Sequence, residues 1–205
     1  MIPGTLSHHS GEGYVKFFCD LQDAPAPAWR RVRKLVAARQ RLYTAGLIGA
    51  YPDGIGFGNI SRRVALTNRF LITGTATGGL PCLEAEHWVE VTNYDLEHNR
   101  VSCRGKIRAS SETMTHAAVY ACEPRIRAVV HVHSRLLWER LLASGCTRTP
   151  PDVEYGTPAM ATAVRKAVLT LPDPSCGVIV MAGHPEGVLA FGTALESTIQ
   201  MVLTH

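Results

Sequence analysis

The sequence of 205 residues has few of the features that mark membrane, secreted or disulfide-bonded proteins. No uncharged apolar run approaches the roughly 20 residues that cross a bilayer, and the N-terminus has neither the basic start nor the apolar stretch of a signal peptide. The six cysteines include no Cys-x-x-Cys pair, so we expect reduced thiols rather than a disulfide framework or a zinc ribbon. These absences predict a cytoplasmic protein that does not associate with membranes.

Strong charge of either sign is also missing. Lys and Arg number 21 against 17 Asp and Glu, and this formal net charge of +4 is too mild to favour nucleic acid as a partner. The largest basic cluster lies on a predicted helix whose other positions are apolar at helical spacing, which favours a solvated outer face over a polyanion site. The members of this cluster are Arg30, Arg31, Arg33, Lys34, Arg39 and Arg41.

No internal repeat, low-complexity tract or linker-like change of composition interrupts the chain, so we interpret residues 1–205 as a single domain. Apolar periodicity and turn residues predict strands and helices that do not alternate strictly. The strands are predicted at 12–19, 62–73, 87–94, 100–104, 126–133 and 177–182, and the helices at 27–45, 110–122, 134–144, 157–170 and from 193 onward. Hairpins mixed with helices favour an α/β sandwich with a largely antiparallel sheet.

A His-x-His pair ends the apolar strand predicted at 126–133. Side chains alternate faces along a strand, so His131 and His133 project to the same side, about 6.6 Å apart along the backbone. Two imidazoles at this spacing can converge on one metal ion. The alternative is a pair of structural histidines at a sheet edge, each with its own hydrogen-bond partner.

A third histidine, His184, follows the apolar strand predicted at 177–182 and sits on a glycine-rich turn. Together with His131 and His133 it would make a site of three neutral imidazoles with an open fourth position, as in catalytic zinc sites. The alternative is an isolated turn histidine.

Two hydroxyl residues, Ser110 and Ser111, directly precede the helix predicted from 110 and suit its N-cap. Such caps are mostly structural, but free N–H groups and hydroxyls at this place can also hold an anion. Glu112 follows them, and in a dry cleft its pKa would rise toward that of a general acid/base. His116 lies one turn later, where we expect a packing or orienting role.

Two glycine-rich loops could bring backbone close to a ligand. The first runs from Asp53 to Ser61 and lacks both the Gly-x-Gly-x-x-Gly spacing and a P-loop lysine, which disfavours nucleotide binding. The second runs from Thr73 to Gly79, and its hydroxyls and N–H groups suit an anion or a sugar-like ligand. Ordinary turns would explain either loop equally well.

In chain order, five motifs resemble those of the class II aldolase/adducin family. They are Gly58-Asn59-Ile60-Ser61-Arg62, Leu71-Ile72-Thr73 with Gly74-Thr75, Ser110-Ser111-Glu112 with His116, Val129 to His133, and Gly183-His184 with the following glycine. The resemblance covers about residues 30–200. It implies a three-layer α/β/α sandwich around a mostly antiparallel sheet, and a homo-oligomer, often a tetramer, with sites at subunit interfaces.

The resemblance also implies roles for individual residues. The metal, Zn²⁺ or another divalent ion, would be bound by His131, His133 and His184. Glu112 would be the catalytic acid/base. A substrate phosphate or another anion would be held by Asn59, Thr75, Ser110 and Ser111.

The activity that follows from the resemblance is that of a zinc-dependent lyase. It would cleave or form a carbon–carbon bond of a hydroxy-ketone, such as a sugar phosphate, through a metal-stabilised enediolate. The same site would also serve an epimerase, dehydratase or decarboxylase. A non-catalytic, adducin-like scaffold is the alternative from another class, and the complete histidine and glutamate set disfavours it.

Three positions depart from the family pattern. The segment between His133 and Tyr155 is shorter than in the sugar-phosphate aldolases, where a tyrosine of a neighbouring subunit donates a proton, and Tyr155 is a weak match to it. Ala76 occupies a position that carries glycine in the aldolases' phosphate loop. The turn of the third histidine reads His184-Pro185-Glu186-Gly187, where His-Gly is more usual.

Overall fold

The computed structural model describes residues 15–204 of the chain. Its strands are β1 (Phe18–Asp23), β2 (Gly49–Ala50), β3 (Gly56–Phe57), β4 (Asn59–Arg63), β5 (Phe70–Thr73), β6 (Trp88–Asp95), β7 (Arg100–Gly105), β8 (Ala128–His133), β9 (Gly177–Val180) and β10 (Gly187–Gly192). Its helices are α1 (Trp29–Thr44), α2 (Thr113–Cys122), α3 (Arg135–Ala143), α4 (Pro158–Leu169) and α5 (Leu195–Leu203), with a 3₁₀ turn at Ala85–His87.

Eight strands form one sheet in the order β1-β7-β6-β5-β4-β8-β10-β9, and β2 and β3 form a separate hairpin. In the large sheet only the edge pair β1 and β7 is parallel, and the other pairs are antiparallel. The long central strand β8 is buried on both faces, which explains its continuous run of apolar residues.

Helices cover both faces of this sheet. Alternate residues of β8 point to opposite sides: Val129 packs in the core beneath α2 and α4, whereas Val130 and Val132 pack in the core beneath α1 and α5. The structure therefore confirms the expected three-layer α/β/α sandwich around a mostly antiparallel sheet.

Several helix ends follow the signals in the sequence. Helix α1 is followed by Gly46, which has a φ of 72° in the left-handed region, as its C-terminal position predicts. Helix α4 begins with Pro158 after Thr157, whose side chain accepts a hydrogen bond from the N–H of Met160.

Two predicted strands need correction, and β2, β3 and β10 are absent from the prediction. The strand expected at 62–73 is two strands, β4 and β5, joined by a turn in which Ala65 has a φ of 48°. The strand β10 was missed, because a short apolar run after a glycine-rich turn carries little local signal. The first strand lies at Phe18–Asp23 rather than 12–19, and residues 12–14 of that prediction lie outside the described residues.

Within residues 15–204, no helix is both long and apolar enough to cross a membrane.

Candidate metal and substrate site

The first two histidines of the site are positioned by the end of β8. Both are buried, and their rings lie with centroids 4.8 Å apart on the side of the sheet that α2 and α4 cover. Asn59 of β4 pairs with His131, and Gly187 of β10 pairs with His133. The alternation of the strand thus places the two imidazoles together, as predicted.

The third histidine arrives from the turn between β9 and β10. The backbone N–H of His184 donates to Met181, and the N–H of Gly187 donates back to His184, so this turn is tightly closed. Because β10 pairs with β8, the turn returns directly beside His133, and the two Nε2 atoms lie 3.1 Å apart.

One nitrogen from each of His131, His133 and His184 lies within 4.8 Å of the other two. Nitrogens that share a tetrahedral ion at about 2.0–2.1 Å lie about 3.3 Å from one another, so this spacing suits a single ion. Neither ring nitrogen of His131 has a hydrogen-bond partner among the described residues, although both atoms are buried. Burial lowers the pKa of His131 to about 3, which keeps the imidazole neutral, as a ligand must be. The residues present therefore fit a divalent metal.

Glu112 is buried beside this cluster at the start of α2. Burial raises the pKa of its carboxyl, while the hydroxyl of Thr115, which donates to Oε2 over 2.6 Å, and the charge of Lys16 partly offset the rise. A carboxyl with a raised pKa holds or releases a proton closer to neutral pH, as acid/base chemistry requires. The prediction for the helix start is wrong by a few residues: the N-cap is Glu112, and Ser110 and Ser111 form the preceding turn.

A fourth buried histidine, His116, lies one turn along α2 and does not join the cluster. Its Nδ1 is 2.7 Å from the hydroxyl oxygen of Ser61, which in turn lies 2.8 Å from the hydroxyl of Tyr120. Burial lowers its pKa well below the ordinary value. This arrangement matches the packing and orienting role expected for His116.

All eight predicted site residues line one cavity of about 210 Å³. They are Asn59, Thr75, Ser110, Ser111, Glu112, His131, His133 and His184. Ile55, Phe57 and Tyr155 add an apolar wall, and the ring of Tyr155 lies 4.2 Å from that of His184. Among the described residues that line this cavity none is Lys or Arg.

A buried arginine forms hydrogen bonds with the backbone of the loop that carries Thr75. Arg39 donates to the carbonyl oxygens of Thr77 at 3.0 Å and Gly78 at 2.6 Å. It is 1% exposed, which corrects the expectation that the basic cluster of α1 is wholly a solvated face. At Ala76 the backbone φ is 58°, a left-handed conformation that favours glycine.

Sequence reasoning missed Tyr51, Phe57 and Arg39 as parts of the site. The hairpin of β2 and β3 brings Tyr51 and Phe57 over His133, and the Phe57 ring lies 5.3 Å from the imidazole at an angle of 19°. The glycines around this hairpin were the available signal, but they do not indicate which side chains face the histidines.

The family model described as Class II Aldolase and Adducin N-terminal domain matches residues 33–205. The chain belongs to the class II aldolase/adducin family. The predicted resemblance to this family is thereby confirmed.

Several solved structures share the fold. An L-fuculose 1-phosphate aldolase aligns with a TM-score of 0.63 and 18% identity over 87% of this chain and 82% of its own. YgbL from Escherichia coli, a candidate aldolase, epimerase or decarboxylase, aligns with a TM-score of 0.62 and 17% identity over 85% and 84%. A sugar-phosphate aldolase from Thermotoga maritima aligns with a TM-score of 0.57 and 16% identity over 85% and 94%. No curated protein sequence matches this chain significantly.

Proposed function

We propose that this class II aldolase-family protein is a divalent-metal-dependent lyase that cleaves or forms a carbon–carbon bond of a hydroxy-ketone. The observation that carries the proposal is the convergence of three buried histidine nitrogens in the cavity that Glu112 also lines. Both ring nitrogens of His131 are buried without a hydrogen-bond partner among the described residues, which is costly unless a ligand satisfies them. An imidazole buried in this way has little structural value for a scaffold protein.

His131, His133 and His184 would hold the ion, and three neutral nitrogen ligands favour zinc. A divalent ion bound here supplies Lewis-acid polarisation of a carbonyl oxygen.

Glu112 moves the proton in this proposal. Its raised pKa lets the carboxylate take a proton from the substrate and return it to the carbon at which the bond breaks. The hydroxyl of Thr115 fixes the orientation of this carboxylate through Oε2. Since Glu112 is only 3% exposed, the proton it holds is shielded from exchange with bulk water.

Neutral polar groups position the substrate. Asn59, Thr75, Ser110 and Ser111 present an amide and three hydroxyls to the cavity, and these groups suit a phosphate or another anion. Ile55 and Phe57 add apolar surface to the same cavity. A cavity of about 210 Å³ limits the substrate to a small molecule.

The first experiment measures metal content and affinity in the purified protein. We expect about one divalent ion per chain, lost in His184→Asn and retained in His98→Asn, a matched variant of an exposed histidine. Absence of a bound or acquired ion in the unsubstituted protein would contradict the proposal and favour an adducin-like scaffold.

The second experiment identifies the reaction. The metal-loaded protein is incubated with ketose phosphates, simple hydroxy-ketones and hydroxy acids, and the products are scored by mass. Carbon–carbon cleavage supports the lyase, whereas loss of water, loss of carbon dioxide or a change of stereochemistry alone assigns a dehydratase, decarboxylase or epimerase instead. Glu112→Gln should lower kcat by about 100- to 10,000-fold, and Glu97→Gln at an exposed turn should not.

A further inference from the structure

The hydroxyl of Tyr51 bridges a proposed metal ligand and a carboxylate. Its oxygen lies 2.7 Å from Nδ1 of His133 and 3.0 Å from Oε2 of Glu186. The Nδ1 atom is on the far side of the ring from Nε2, the nitrogen that lies 3.1 Å from Nε2 of His184. The three side chains therefore form a chain that ends at the nitrogen facing the metal site.

The hydrogen bonds along this chain show where each proton lies. The Tyr51 hydroxyl donates its single proton to Oε2 of Glu186. The same hydroxyl must then accept from His133, whose Nδ1 carries the ring proton. A neutral imidazole has one such proton, so Nε2 of His133 keeps its lone pair for a metal ion.

The backbone holds all three groups in place. Glu186 has a φ of 71°, an unfavourable value for a residue with a side chain, and its carbonyl oxygen accepts from the N–H of Ser134 at 3.0 Å. The N–H of Tyr51 donates to Ile55 across the loop of the hairpin. The ring of Phe57 packs against those of Tyr51 and His133, with centroids 4.7 and 5.3 Å away.

We propose that Tyr51 and Glu186 are positioning residues that hold His133 in the tautomer and orientation that bind the metal. This inference rests on the proposed metal site and goes beyond it by assigning a function to two residues outside the ligand set. A histidine ligand whose second nitrogen donates to an anionic network is a better electron donor and loses less freedom on binding. Glu186 acts on the ligand only through Tyr51.

A double-mutant cycle on metal affinity tests whether Glu186 acts on His133 only through Tyr51. Zn²⁺ and Co²⁺ affinities are measured by competition with a chromophoric chelator for the unsubstituted protein, Tyr51→Phe, Glu186→Gln and the double variant. Tyr51→Phe should weaken binding by about 10- to 100-fold. Glu186→Gln should weaken it in the unsubstituted background and cause less than about a twofold change once Tyr51 is Phe.

The control is Tyr94→Phe, which removes a hydroxyl on β6 outside the cavity and should leave metal affinity unchanged. The absorption spectrum of bound Co²⁺ gives a readout that does not depend on turnover, and it should change in Tyr51→Phe and not in Tyr94→Phe. If the losses of metal affinity caused by Tyr51→Phe and Glu186→Gln simply add in the double variant, Glu186 does not act through Tyr51 and the inference is overturned.

A measurement on the unsubstituted protein avoids any effect of substitutions on folding. In the zinc-loaded protein, nitrogen–proton correlation spectra of the imidazoles should show a proton on Nδ1 of His133, assigned by its absence in His133→Asn. A metal-bound or unprotonated Nδ1 would overturn the inference while leaving the proposed function standing. If the unsubstituted protein binds no divalent ion, both proposals fail together.

Discussion

Asn59 lies directly opposite His131 in the antiparallel pairing of β4 with β8, and both side chains line the same cavity. Cross-strand partners share a face of the sheet, so the pairing itself brings the amide beside the metal cluster. The Oδ1 atom of Asn59 is buried and has no hydrogen-bond partner among the described residues. This amide is thus free to contact a ligand rather than stabilise the fold.

Replacing Asn59 with Ala should weaken substrate binding without a large change in the free energy of unfolding. Because the lost acceptor is unpaired in the folded protein, the free energy of unfolding should change by less than about 1 kcal/mol. The KM for the best substrate of the panel should rise by about 10-fold or more, since one good hydrogen bond contributes about 1–2 kcal/mol. Denaturant unfolding and steady-state kinetics measure the two effects. The exposed Asn93→Ala is the control, and a large loss of stability with an unchanged KM would contradict this assignment.

Arg39 stabilises the loop that carries Thr75. Its guanidinium donates to carbonyl oxygens of Thr77 and Gly78, and Arg39→Met removes both bonds, although the Thr77 carbonyl still accepts from the N–H of Leu80. The free energy of unfolding should fall by about 3 kcal/mol. The exposed Arg33→Met on the same helix should stay within about 0.5 kcal/mol of the unsubstituted protein. Equal stabilities of the two variants in denaturant unfolding would show that Arg39 is not a structural contact.

Cys19 and Cys103 form a close thiol pair between β1 and β7, with their sulfur atoms 3.3 Å apart. The hydrogen bond from Cys103 lowers the pKa of Cys19 to about 7, and both the bond to Cys19 and burial raise the pKa of Cys103. A lowered pKa stabilises the thiolate, so alkylation of Cys19 by iodoacetamide should rise with pH around a midpoint near 7. Mass spectrometry of the alkylated peptide measures this midpoint.

Removing the partner supplies the control for this pair. In Cys103→Ala the midpoint for Cys19 should move up toward the ordinary thiol value, because the hydrogen bond that stabilises the thiolate is lost. A midpoint that stays near 7 in this variant would show that another group lowers the pKa.

Glu90 receives ion pairs from Arg31, at 2.8 Å, and from Arg69. Burial alone would raise the pKa of this carboxyl, but the two arginines outweigh burial and lower it below its ordinary value. The stabilisation is therefore present above the pKa of the unfolded chain and lost as the pH falls through the lower pKa of the folded state.

Glu90→Gln should lower the free energy of unfolding at pH 7 by about 2 kcal/mol. The difference from the unsubstituted protein should shrink as the pH falls below about 4. The exposed Glu86→Gln is the matched control and should show little difference at any pH. A gap between the Glu90 variant and the unsubstituted protein that persists unchanged at low pH would contradict the role of charge.

Most residues of the candidate site could be predicted from local patterns in the sequence. Strand alternation placed His131 and His133 on one side, and the order of motifs indicated His184, Glu112 and the ligand loops. All of these residues line the same cavity. Their chemical roles remain predictions that the experiments above address.

The contacts that escaped prediction are all non-local. Periodicity did not reveal β10, so it did not show that the turn after His184 returns beside β8 and brings Glu186 to Tyr51. It likewise did not show that Arg39 turns inward to the loop of Thr77.

The sequence by itself determined which side chains can bind a metal and on which face of their own strand they lie, because alternation is a property of consecutive residues. Only the tertiary structure decided which strands are neighbours, and hence which side chains orient those ligands. That choice depends on how distant segments pair and pack, and residues far apart in the chain encode it jointly.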